Sequence, residues 1–65
     1  MQIIVNAHPR EVSGPDLAAV LSELGYTSPS VASAVNGVFV PRDHRGSCLL
    51  SPGDRVEILA PMQGG

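Results

Sequence analysis

Val31-Ala32-Ser33-Ala34-Val35-Asn36-Gly37-Val38-Phe39-Val40-Pro41 is the stretch that decides the fold. Val31 to Val35 alternates, Val38 to Val40 is a second apolar run, and only Asn36-Gly37 separates them. A two-residue type I′ turn needs positive φ at both central positions, which Asn and Gly tolerate, and its twist matches the strands it joins. The spacing therefore predicts two antiparallel strands. Pro41 ends the second, because proline has no N–H to give a ladder. A loop from Tyr26 to Ser30, carrying Pro29, leads into this hairpin.

Toward the N-terminus a helix precedes it. Ser13-Gly14-Pro15-Asp16 reads as a helix start, with a small cap residue, a proline preset for the first turn, and an acid against the positive end of the dipole. Leu17, Val20, Leu21 and Leu24 then recur at i, i+3, i+4 and i+7. They form one apolar stripe, Ala18, Ala19, Ser22 and Glu23 lie off it, and Gly25 is the left-handed terminator. Farther back, Met1-Gln2-Ile3-Ile4-Val5-Asn6 predicts a strand with Ile3 and Val5 on one face and Ile4 on the other. Ala7-His8-Pro9-Arg10 has turn character, and Glu11-Val12 is expected to return as a short second strand.

Toward the C-terminus, residues 43–51 are polar and weakly patterned, with Leu49-Leu50 as the expected anchor into the core. Pro52-Gly53-Asp54 is a turn, and Arg55-Val56-Glu57-Ile58-Leu59 is the last strand. The pattern stops at Ala60-Pro61. Met62-Gln63-Gly64-Gly65 has no periodicity, and paired glycines bring entropy cost without packing, so residues 1–60 are expected to fold and 61–65 to form a flexible tail. The order strand, strand, helix, strand, strand, strand predicts an α+β domain, a mixed sheet of four to five strands with one main helix packed on one face. Its expected core is Ile3, Val5, Leu17, Val20, Leu21, Leu24, Val35, Val38, Val56 and Ile58.

Composition narrows the function. A chain of 65 residues buries only about 60% of its unfolded surface, which excludes most self-contained enzymes and any doubly wound sheet. At 43% hydrophobic residues and a mean hydropathy of +0.16 it is globular rather than disordered. Net charge is -2, and the basic residues Arg10, Arg42, Arg45 and Arg55 are dispersed. Nucleic-acid binding needs a basic stripe, and single strands need stacking aromatics, whereas this chain has only Tyr26 and Phe39. No apolar run approaches a membrane span, and no signal peptide is visible, so a soluble cytoplasmic protein is expected. Cys48 is alone and no His/Cys cluster has metal-ligand spacing, so neither a disulfide nor a metal is expected.

The opening Met1-Gln2-Ile3-Ile4-Val5-Asn6, the single helix, Ala34-Val35-Asn36-Gly37-Val38-Phe39-Val40-Pro41-Arg42, the turn Pro52-Gly53-Asp54-Arg55-Val56-Glu57-Ile58 and the final Gln63-Gly64-Gly65 together resemble the ThiS family of sulfur carriers. The resemblance runs over nearly the whole chain. It implies a β-grasp, ubiquitin-like fold and delivery of sulfur to the thiazole of thiamin. It also implies a carrier and co-substrate rather than an enzyme, with no bound cofactor. The Gly65 carboxylate would be adenylated with ATP and Mg²⁺ by a ubiquitin-activating-like adenylyltransferase (ThiF-type). It would gain sulfur from a cysteine desulfurase or other persulfide enzyme, then serve a thiazole synthase (ThiG-type). Ala60-Pro61-Met62 departs from the pattern by stiffening the approach to the tail. Two other readings share the fold, a carrier like the small subunit of molybdopterin synthase, usually a longer chain, and a ubiquitin-like modifier forming isopeptide bonds. A plain interaction module with an inert tail is the reading from another class.

Under the carrier reading Gln63 and Gly64 thread a partner's cleft, the two terminal glycines suit its narrow part where a Cβ would clash, and residues 61–65 extended reach about 17 Å. The partner surface is expected on the apolar sheet face nearest the tail, with Leu59, Pro61 and Met62 as contacts and Phe39 and Arg42 as further candidates. Read as a mere frayed end, Gly64-Gly65 would carry no chemistry. The body of the chain has no nucleophile beside a base and no phosphate-cradling glycine loop, so activation falls to a partner. Cys48, beside Leu49-Leu50 with no neighbouring cation, reads as a half-buried apolar residue rather than a sulfur-relay thiol. His8 and His44 read as solvated turn residues, and Asp54 and Glu57 as solvated acids rather than a carboxylate pair. The chain has no lysine, which prevents conjugation of an activated terminus to its own side chains, but compositional bias toward arginine is the preferred account.

Overall fold

Asn36 and Gly37 adopt φ of 51° and 84°, the left-handed pair that a type I′ turn requires. They join β3 (Ala32–Val35) to the two-residue β4 (Val38–Phe39) in antiparallel register, Val35 opposite Val38 and Ala34 opposite Phe39. The computed structural model of the chain describes residues 1–60, and the tail expected over 61–65 lies outside them. Before this hairpin come β1 (Gln2–Val5), β2 (His8–Glu11) and α1 (Leu17–Glu23); after it come a 3-10 helix (Arg42–Ser47) and β5 (Arg55–Leu59). The sheet has five strands in the order β2-β1-β5-β3-β4. β5 runs parallel to β1, and the other neighbours are antiparallel. The last strand in sequence thus occupies the middle of the sheet.

Two turns differ from the sequence reading. The first hairpin reverses at Asn6-Ala7, both at positive φ (48° and 72°), so His8, Pro9 and Arg10 belong to β2 rather than to a turn. Pro9 is tolerated because β2 is an edge strand. At the helix start, Asp16 is itself the cap: its side chain accepts a 2.8 Å hydrogen bond from the Ala19 N–H. Pro15 therefore precedes the cap instead of opening the first turn. Gly25 follows the helix at φ 89°, as a left-handed terminator should.

Ile3 and Val5 on β1, Val56 and Ile58 on β5, and Leu17, Val20 and Leu21 on α1 make one buried cluster. The strands reach it by alternation, Ile4, Arg55, Glu57 and Leu59 lying on the opposite face. Val38 does not join it and is 67% exposed. A helix about 10 Å wide covers two to three strands spaced about 4.8 Å apart, and β4 lies at the sheet edge beyond that cover. Val40 is buried in its place. Leu24 and Val35 are partly buried at the rim, while Val12, Val31 and Leu50 complete the core.

Leu49 also departs from expectation. The Leu17 N–H donates to the Cys48 carbonyl (2.9 Å) and the Leu50 N–H to the Pro15 carbonyl (3.0 Å), setting an extended segment against the helix start. Extended alternation sends Leu50 inward and leaves Leu49 exposed, with Cys48 half-buried against the core as expected.

The 3-10 helix, unpatterned in the sequence, owes its place to Arg45. This residue is buried, its Nε donating to Ser33 Oγ (2.9 Å) and its Nη2 to the Val31 carbonyl. Ser33 Oγ donates in turn to the Val40 carbonyl (3.2 Å), so a polar triad crosses the core side of β3. The expected architecture, a mixed sheet with one main helix across one face, is the one observed.

Leu21→Ala should cost about 2 to 5 kcal/mol in denaturant unfolding, because the helix cannot collapse onto the cavity it leaves. Val38→Ala, at an exposed edge position, should stay within about 0.5 kcal/mol of the parent.

Candidate functional site

β5 carries the chain from the centre of the sheet to Ala60, the last of the described residues. Asn6 holds this end. Its backbone N–H donates to the Val56 carbonyl (3.0 Å), and its side-chain amide then takes both groups of Ile58: Oδ1 accepts from the Ile58 N–H (2.8 Å) and Nδ2 donates to its carbonyl (3.1 Å). β1 has already turned away at this residue, so the amide supplies the step of parallel ladder that the backbone cannot.

On the face away from the helix, pairing of Ala32 with Leu59 and of Ala34 with both Glu57 and Phe39 lines up small and large residues across three strands. The small alanine side chains leave an open groove of about 370 Å³, lined also by Phe39, Leu59, Glu57 and Asn6. Phe39 and Leu59 are 63% and 75% exposed. A paired set of exposed apolar residues with a polar rim, here Glu57 and Asn6, has the form of a transient protein-binding surface.

Of the residues singled out in the sequence, Leu59 and Phe39 meet in this groove. Arg42 does not; it stands in the 3-10 helix and lines a different hollow with Tyr26 and Pro29. Pro61, Met62, Gln63, Gly64 and Gly65 lie outside the described residues. His8 is on β2 and His44 in the 3-10 helix, both exposed, so neither sits in the turn expected for it. Asp54 is structural: its carboxylate accepts from the Ser51 N–H (2.8 Å) and from Asn36 Nδ2 (3.1 Å), tying the last turn to the hairpin. Among the described residues no three His, Cys, Asp or Glu side chains come together as metal ligands. Asn6, Ala32 and Ala34 are the site residues that sequence reasoning missed. The alternating Ala-Ser-Ala was the visible signal, since small residues on one face of a middle strand leave room for a neighbour.

The model of the ThiS family matches residues 3–65. Two solved structures of the thiamine biosynthesis protein (ThiS) from Geobacter metallireducens, one by crystallography and one by solution NMR, superpose on the chain with a TM-score of 0.82 and 30% sequence identity. Both alignments span all of this chain, with 100% of the crystallographic and 88% of the NMR chain. No curated protein matched the sequence. The expected β-grasp architecture agrees with these structures.

Asn6→Gly keeps the positive φ and removes only the amide. It should destabilise the domain by about 1 to 3 kcal/mol and speed hydrogen exchange at the Ile58 amide, while the amides inside α1 keep their relative protection.

Proposed function

The chain belongs to the ThiS family, and from that we propose that it carries sulfur for thiamin biosynthesis as a thiocarboxylate on Gly65. The observation that carries the reading is the family match over residues 3–65, which includes Gly64-Gly65. A carboxylate is a poor electrophile, so a partner adenylyltransferase joins it to AMP, releasing pyrophosphate from ATP. The terminal sulfur of a persulfide then displaces AMP. A thiol cleaves the resulting S–S bond, leaving the thiocarboxylate on Gly65 and a disulfide on the donor side. The thiocarboxylate surrenders its sulfur to the thiazole-forming enzyme, and the carboxylate returns.

Division of labour follows from the chain itself. The folded body serves as a handle, with the Phe39 and Leu59 groove as the partner-facing surface beside the tail. Pro61 and Met62 extend that surface, and Gln63 and Gly64 enter the partner's cleft. Two glycines place no Cβ against its walls.

Deleting Gly65, or adding a residue after it, should abolish the oxygen-to-sulfur mass increment in intact protein from cells while leaving the melting temperature nearly unchanged. Cys48→Ser should keep that increment. Sulfur gain by the truncated chain, or an isopeptide-linked adduct in place of the mass increment, would refute the carrier reading.

If the groove docks the activating enzyme, Leu59→Ser and Phe39→Ser should each raise the KM for the carrier about tenfold in a pyrophosphate-exchange assay, with kcat little changed.

A further inference from the structure

On the helix side of the molecule, Arg42 and Arg45 line one hollow of about 340 Å³ together with Ser22, Tyr26, Thr27 and Ser28. Among the described residues no carboxylate lines it. Arg45 is 8% exposed, and its contacts are the Val31 carbonyl and the Ser33 hydroxyl. These satisfy N–H groups without neutralising the charge, and a guanidinium has further N–H donors than those contacts use. Among the described residues the one ion pair is between the N-terminal ammonium and Glu11, so neither arginine meets a carboxylate there. A buried cation lacking a counter-charge is costly to keep, and an anion in the hollow would supply one.

We propose that this hollow binds a phosphate group, free or as the monoester of a small molecule, independently of the carrier chemistry proposed above. Arginine forks and hydroxyl donors together match the many acceptor oxygens of a tetrahedral dianion, whereas a single carboxylate offers fewer. The hollow is roomier than a lone phosphate, and Leu21 and Pro29 give its remaining wall an apolar surface for a small ester group. Overall charge argues against general attraction of anions: the chain carries a net -2, so selectivity must come from this local arrangement.

The test is a ¹H–¹⁵N titration of the full chain with sodium phosphate and, separately, glycerol 3-phosphate, ionic strength being held constant with sodium chloride. Saturable shifts should appear at Ser22, Thr27, Ser28 and the Arg45 side chain. Arg42→Gln, at an exposed position, should weaken binding about tenfold, the size expected of one charge-assisted hydrogen bond, and Arg10→Gln on β2 should leave it unchanged. Ser28→Ala gives a second, uncharged check and should weaken binding as well. Tighter binding of the ester identifies a phosphomonoester ligand, and equal binding identifies phosphate itself. Shifts that rise linearly with added phosphate without saturating, or binding that both Arg42→Gln and Ser28→Ala leave intact, would overturn the site.

Discussion

Everything in this small domain depends on β5 being accepted between β1 and β3. Before it enters, Ile3 and Val5 on one side and the β3 hairpin on the other share no ladder, and α1 has no continuous surface to lie on. Val56 and Ile58 supply the missing middle of that surface, and Val56 is wholly buried. The parallel seam with β1 is short, two residue pairs, and would end where β1 turns. Asn6 prolongs it by using a side-chain amide as a piece of backbone. One residue thus serves both as the positive-φ hinge of the first hairpin and as the last rung of the central seam.

That arrangement separates two jobs. The helix side of the sheet spends its apolar residues on stability, while the other side keeps small alanines at its centre and large residues exposed around them. An exposed apolar surface therefore exists without being taken from the core. The groove lies against the final residues of β5, Ile58 and Leu59 among them.

Much of this was legible in the sequence where local chemistry and tertiary packing agree. Asn36-Gly37 has one economical conformation, the α1 stripe has one face to bury, and Arg55 to Leu59 alternates cleanly. The reading failed where packing across long separations decides. Asn6-Ala7 makes a turn without a glycine, and its positive φ is stabilised by Asn6 bonds to a strand some fifty residues later, which no local pattern announces. Arg45 sits in a polar stretch and gains its place only through Ser33 and Val31, so a charged residue in the core could not be foreseen. Val38 looked like core because its strand is apolar, yet its position in the strand order leaves it uncovered. For the site, Leu59 and Phe39 were visible as apolar residues near the end of the pattern, but the alanines that make a groove between them needed the register.

The central position of β5 also has a mechanical meaning. A partner that grips the chain after Ala60 and draws on it pulls along the axis of a strand flanked on both sides, parallel to β1 and antiparallel to β3. Its hydrogen bonds lie across the direction of pull, so they bear the load together in shear instead of opening one by one as at a peeled edge. The Asn6 amide adds its share at the end nearest the grip. Load applied at that end is therefore shared along the strand, and the body behaves as an anchor rather than a zip.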